Sequence, residues 1–225
     1  GLRADDWQDT AGHRRDLVAG VPTGDEHFAR RDGVALSPSV GVAWPVSTGL
    51  RFHVSGQRAF RRPTLNELYR PFRVGNVITD ANPNLRTETV TSGEIGLTAE
   101  RGMLTFNLTG FWNELQDSVA NVTIAQGPAN VPGIGFVPAG GEGRRKMNLD
   151  RTRVRGTAVA TRWKISPALA VEVQYLYNDA TVTRASVAPW LSGLRLAQVP
   201  RQSASAGLEW HLGRWSVAPR ARWIG

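Results

Sequence analysis

Strict apolar–polar alternation, abundant turn residues and a regular exchange of short and long connections predict an all-β protein, the wall of an antiparallel transmembrane β-barrel. The 225 residues are 41% hydrophobic and 20% charged, with 24 glycines and 13 prolines. That balance excludes a disordered chain. No run approaches the ~18 consecutive apolar residues that a membrane-spanning helix needs. Period two is the dominant signal, and it puts one apolar and one polar face on each strand.

The strands follow in order. GLRADDW at the start reads as the tail of a strand, so the chain is expected to be a piece of a longer protein. Within 36–46, Pro38, Val40, Val42, Trp44 and Val46 alternate with Ser37, Ser39, Gly41 and Ala43. Within 50–57, Leu50, Phe52 and Val54 alternate with Arg51, His53, Ser55 and Gln57. Ile95, Leu97 and Ala99 oppose Glu94, Gly96, Thr98 and Glu100, and Leu104, Phe106, Leu108 and Trp112 oppose Thr105, Asn107 and Thr109. The stretch 149–165 is the least regular but still reads as a strand. Leu169, Val171, Val173, Tyr175 and Tyr177 stand against Ala170, Glu172, Gln174 and Asn178. Ala204 to Leu212 and Trp215 to Trp223 repeat the pattern. The total is about nine strands, an odd number that does not close a bacterial barrel by itself.

The connections give the pattern a direction. Short turns fall at STG (47–49), ERG (100–102), ISP (165–167) and GR (213–214); long connections fall at about 8–33, 61–90, 124–148 and 185–198. An outer-membrane barrel has short periplasmic turns and long extracellular loops, whereas a soluble β-sandwich has no reason to gather its long loops at one end. Aromatics near strand ends (Trp44, Phe60, Trp112, Trp163, Tyr175, Tyr177, Trp215, Trp223) suit an interfacial girdle. In hydrocarbon every backbone polar group must be paired, so an all-β chain spans only as a closed barrel. The polar face, with Arg51, His53, Gln57, Glu94, Glu172 and Arg220, is then expected to line a wet lumen.

The formal net charge is +8, and 25 of the 27 basic residues are arginine. A basic balance suggests nucleic acid, but the arginines are scattered among loops, and no zinc-finger, helix-turn-helix or RNA-binding signature accompanies them. No nucleic-acid partner is expected. Zero cysteines exclude a disulfide framework and cysteine-ligated metals. Enzymatic activity is not expected either. There is no Ser-His-Asp arrangement, no glycine-rich phosphate cradle after a strand and no His-x₃-His spacing.

Two boxes carry a family resemblance. AFRRPTLNELYRPF (59–72) and ANPNLRTETVTSGEIGL (81–97) resemble the C-terminal barrel region of TonB-dependent outer-membrane receptors. The first box is Phe60, Arg61, Arg62 and Pro63, followed by Glu67, Leu68 and Tyr69; the second is Asn82, Pro83, Asn84 and Leu85, followed by Glu88 and by Glu94, Ile95 and Gly96. The ordered pair is specific where either box alone is weak. The resemblance implies a barrel of about 22 strands around a plug domain absent from this chain. It further implies a place in the bacterial outer membrane and uptake driven by the TonB–ExbB–ExbD complex acting through the plug.

The boxes also have a physical reading. Pro63 donates no ladder hydrogen bond and ends its strand; Asn82-Pro83 starts a turn that returns the chain to the sheet. Glu67 and Glu88 are expected to pair with Arg61, Arg62 or Arg86, so these residues are expected to be structural first, with ligand contact second. Members of the family that import haem place a histidine between the boxes, and TLNELYRPFRVGNVITDA has none. The expected ligand is therefore a ferric siderophore or similar chelate, with haem or cobalamin as alternatives within the family and a passive porin or adhesin barrel outside it. A ferric siderophore needs no ligand from the protein, so no resident metal or cofactor is assigned. For His13 and His27 in the first long loop a solvated role outranks iron contact. Two basic clusters are candidates to draw in an anionic ligand: Arg62, Arg70 and Arg73 beside Arg61, and Arg144, Arg145 and Lys146 with Arg151, Arg153 and Arg155. Lipopolysaccharide phosphates are the competing partner for these cations. The Gly/Pro-rich stretch 125–143 is expected to be a loop in which Phe136 packs on the loop itself.

Overall fold

The computed structural model describes residues 1–10 and 12–225. In chain order its elements are β1 (Leu2–Asp9), β2 (Gly12–Val18), β3 (Val21–Phe28), β4 (Arg31–Ser47), β5 (Leu50–Arg61), α1 (Leu65–Tyr69), β6 (Phe72–Val74), β7 (Val77–Asp80), β8 (Glu88–Arg101) and β9 (Leu104–Gln126). There follow β10 (Ala129–Val131), β11 (Gly135–Val137), β12 (Glu142–Ser166), β13 (Leu169–Arg184), a 3-10 turn (Pro189–Leu191), β14 (Gln202–Leu212), β15 (Trp215–Val217) and β16 (Arg220–Ile224). The wall runs β1-β4-β5-β8-β9-β12-β13-β14 and ends with β15 and β16, both paired to β14. Every pairing along it is antiparallel. Counting β15 and β16 as one interrupted strand gives nine positions among the described residues, as the alternation predicts.

Register fixes the two faces. Val42 pairs with Val54, Val54 with Ile95, Ile95 with Gly110, Gly110 with Thr157 and Thr157 with Tyr177, so these residues share one face. On β9 that face carries Leu104, Phe106, Leu108, Gly110 and Trp112, then turns polar at Glu114 and Gln116. On β12 it carries Trp163, Thr161, Val159 and Thr157 before reaching Arg155, Arg153 and Arg151. The apolar run is about nine residues long, the length a tilted strand needs to cross hydrocarbon. Trp44, at 66% exposure, and Trp163, at 53%, lie uncovered on this face, as lipid-facing residues of a barrel must. The opposite face is polar. There Arg162 pairs with Glu172 and, at 2.9 Å, with Glu209.

Short turns join β4 to β5, β8 to β9, β12 to β13 and β14 to β15, all at one edge of the wall. Gly49 in the first has φ +76°, and a Cβ there would lie 2.1 Å from the Glu100 carbonyl oxygen. Only glycine suits such a position. Gly156 has a different reason: a Cβ would stand 2.0 Å from the Tyr177 carbonyl oxygen and 2.7 Å from the Phe111 ring.

At the other edge the strands outrun their sequence boundaries. β9 continues to Gln126 and β12 begins at Glu142, with paired register down to that residue, so much of 124–148 is a tall two-stranded ribbon rather than a loop. Its sequence hid this because both faces there lie beyond the membrane, and Glu142, Arg144, Arg145 and Lys146 show no apolar period. The stretch 8–33 likewise contains the β2–β3 hairpin. Within 125–143, β10 pairs with β11. Strand alternation there buries Val137 completely and leaves Phe136 59% exposed, so Val137 and not Phe136 packs this loop.

Candidate functional site

Four connections converge at the ribbon edge of the wall and build a packed layer there. The β5–β8 connection is held by a polar knot. Thr64 caps α1 in a capping box with Glu67, satisfying first-turn amides that would otherwise lack partners. The Arg61 guanidinium donates two bonds to the Glu67 carboxylate, at 2.9 and 3.2 Å, and a third to Glu88. Glu88 in turn accepts from the Val119 amide of β9. Burial acts to raise the Glu67 pKa, but the Arg61 and Thr64 bonds outweigh it and hold the carboxyl at about 2. Leu68 and Leu85 of this connection are each 1% exposed, and Pro63 is buried as well.

The second box closes the loop onto the ribbon. The Asn82 side chain accepts from the Asn84 amide at 3.0 Å and donates to the Lys146 carbonyl at 2.9 Å. Its backbone amide donates to the Glu67 carbonyl at 3.0 Å. Asn148 accepts from the Arg86 amide at 2.8 Å and donates to the carbonyls of Arg86 and Asp117. β7 lies parallel along the part of β12 that rises above β13, pairing Val77–Asp80 with Glu142–Arg145. Phe60 is paired opposite Thr89 in the wall, Pro83 is exposed, and Tyr69 packs its ring 4.2 Å from Phe28 of the first hairpin. The 185–198 connection covers the ribbon's other flank, where Val182, Ala185 and Ala188 bury Val122 and Leu149.

The candidate cations separate into different environments. Arg61 is occupied by both glutamates. Arg62 sits 3.7 Å from Asp9 and 4.9 Å from the centre of the Trp7 ring. Arg73 bonds the Gly75 carbonyl of its own turn at 2.8 Å, and Arg70 is exposed at the end of α1. Arg144 pairs with Glu142 at 2.7 Å, Arg145 with Asp80 at 3.0 Å, and the Lys146 ammonium lies 6.0 Å from the Phe72 ring. Arg151, Arg153 and Arg155 share the wall's outward face, with Arg151 on Glu114 and Arg155 on Asp179. A group contiguous in sequence therefore divides between the mouth and the outer rim. Sequence reasoning missed Asp80, Asn148 and Asp117 as loop anchors, because their partners lie far along the chain.

The comparisons agree with this architecture. A family model described as TonB dependent receptor-like, beta-barrel matches residues 1–225. The chain belongs to the TonB-dependent receptors. This family's barrels reside in the bacterial outer membrane. Among curated relatives of this receptor barrel, the hemoglobin and hemoglobin-haptoglobin-binding protein B of Haemophilus influenzae is 26% identical over 129 residues, 57% of the chain and 12% of the relative. The vitamin B12 transporter of Photobacterium profundum is 26% identical over 141 residues, 63% of the chain and 20% of the relative. The receptor barrel thus spans a fifth or less of these relatives' lengths. Of solved structures, the copper transporter OprC superposes with a TM-score of 0.72 at 18% identity, covering 99% of the chain and 32% of OprC. The siderophore receptor PirA of Pseudomonas aeruginosa gives 0.65 at 17% identity, covering 87% and 36%. At these identities the structural likeness shows the fold alone.

Proposed function

We propose that the chain forms part of a receptor that imports a ferric siderophore or similar metal chelate by energy-coupled uptake. The observation that carries this reading is the family match over residues 1–225. The choice of ligand rests on the lack of histidine at 64–81 and on the cations of the mouth. In this reading the two boxes hold the β5–β8 loop rigid, while Arg62, Arg70, Arg73, Arg144, Arg145 and Lys146 form a basic vestibule that attracts an anionic chelate. The protein performs no covalent chemistry. Its loops capture the ligand, and force from the TonB–ExbB–ExbD complex, delivered through a plug, opens the path. Arg151, Arg153 and Arg155, next to the apolar band, contact lipopolysaccharide phosphates.

Haem or vitamin B12 is the second reading, favoured by curated relatives that bind hemoglobin or transport vitamin B12. Uptake of radiolabelled ferric chelates, haem and cobalamin by cells with and without TonB distinguishes the two. Ferric-chelate uptake that requires TonB supports the first, cobalamin or haem uptake supports the second, and uptake that persists without TonB removes active transport. Replacing Arg144, Arg145 and Lys146 together by glutamine should reduce uptake of an anionic chelate several-fold at low salt. Unchanged uptake would take this cluster out of the vestibule.

A further inference from the structure

We propose that the β2–β3 hairpin carries a binding site for a borderline divalent transition-metal ion, Cu²⁺, Ni²⁺ or Zn²⁺, formed by His13, Asp25 and His27. The antiparallel register sets His13 directly opposite His27 and Arg15 opposite Asp25, which brings Asp25 diagonally next to His13. The two imidazoles stack with centroids 4.5 Å apart and an interplanar angle of 11°. One ligand atom from each residue lies within 4.8 Å of the others. Asp25 Oδ1 is 2.5 Å from His13 Nε2 and 3.6 Å from His27 Nε2.

A tetrahedral ion with metal–ligand bonds of ~2.0–2.1 Å holds its ligand atoms about 3.4 Å apart. The observed separations fall on either side of that spacing. All three residues are exposed, so side-chain rotation alone can admit an ion between the imidazoles and Oδ1. The Arg15 guanidinium lies 3.5 Å from Oδ2, which orients the carboxylate and leaves Oδ1 to the metal.

Donor chemistry selects the ion. Two imidazoles and one carboxylate suit borderline first-row ions, whereas Ca²⁺ and Mg²⁺ take all-oxygen sets. His27 keeps 80% of its side-chain surface exposed, so the remaining coordination positions face solvent and accept water or a donor atom from an external chelator. The hairpin's other face is anchored. Arg14, between the ligand-side residues His13 and Arg15, donates to the Tyr69 carbonyl at 3.3 Å and pairs with Glu26 at 3.1 Å. Strand alternation therefore puts the metal face on the side away from the box loop. The site stands independently of the ferric-chelate reading, since a saturated chelate needs no protein ligand.

The test titrates the full-length receptor in detergent with Cu²⁺ and Zn²⁺ by calorimetry, and reads the Cu²⁺ complex by electron paramagnetic resonance. The expected result is one site per chain whose spectrum carries two imidazole nitrogens. His13→Ala, Asp25→Asn and His27→Ala should each weaken it at least about tenfold, since even outer-shell partners are worth that much. His53→Ala and His211→Ala should leave it unchanged. No such site, or one that survives the His13→Ala/His27→Ala double variant, overturns the proposal. Should the double variant lose its heat-modifiable migration, His27→Gln alone decides: loss of one nitrogen from the spectrum supports the site, and an unaltered spectrum overturns it.

Discussion

The wall and the mouth of this receptor satisfy their backbones in opposite ways. In the wall the inner strands pair their backbones with neighbours on both sides, and apolar side chains such as Val42, Ile95 and Leu108 remain uncovered because lipid is their partner. At the mouth the chain meets water, so apolar residues turn inward and side chains bond the irregular backbone. Leu68 and Leu85 are buried, Asn82 and Asn148 bind carbonyls across the fold, and Arg61 joins two carboxylates. The difference teaches that the same stretch of strand changes its rules within one chain. β12 obeys lipid at Trp163 and loop packing at Leu149.

Substitutions can break this division. Leu85→Ala should have the largest effect, about 2–5 kcal/mol for a fully buried leucine, confined to the mouth. Limited proteolysis should then cut within 62–87 while the barrel still migrates as folded on a gel. A barrel that fails to assemble would mean that the wall depends on this layer. Leu108→Arg, in the middle of the apolar face, should cost about 2–4 kcal/mol and show the reverse pattern, poor insertion into lipid vesicles. Full insertion would reassign the face. The smallest effect is electrostatic. The Glu67 carboxyl is depressed from 4.5 to about 2, so its contribution is complete above pH ~4.5 and is lost as pH falls through about 2. Screening at this partly exposed site keeps it to about 1 kcal/mol or less. Hydrogen exchange of 64–69 should rise across that window in the wild type and stay flat in Glu67→Gln.

The wall was legible in the sequence because lipid on one side and water on the other impose period two on every strand. The boxes were legible because prolines and asparagines act on their own neighbours. The strand segments above the membrane were not, since Glu142–Met147 meets packed loops and water without an apolar side. The anchors at Asp80 and Asn148 escaped notice because each depends on a partner more than 60 residues away. The His13–His27 pair depends on the Val18–Val21 turn together with the one-residue register shift between Asp16 and Leu17. Both histidines were visible as loop residues, but Asp25, which completes the triad, gave no signal of its own.

The parallel pairing of β7 with β12 also orders events in time. Asp80 meets Arg145 across 65 residues, so the segment 62–87 cannot dock until β12 has been laid beside β9. The Arg61–Glu67–Glu88 knot, which closes over no more than 27 residues, needs no part of β12. Non-local closures such as that of Asp80 on Arg145 come late in folding. Docking of this loop therefore requires β12, and a chain stalled before β12 would display an open 62–87 loop that a protease could find.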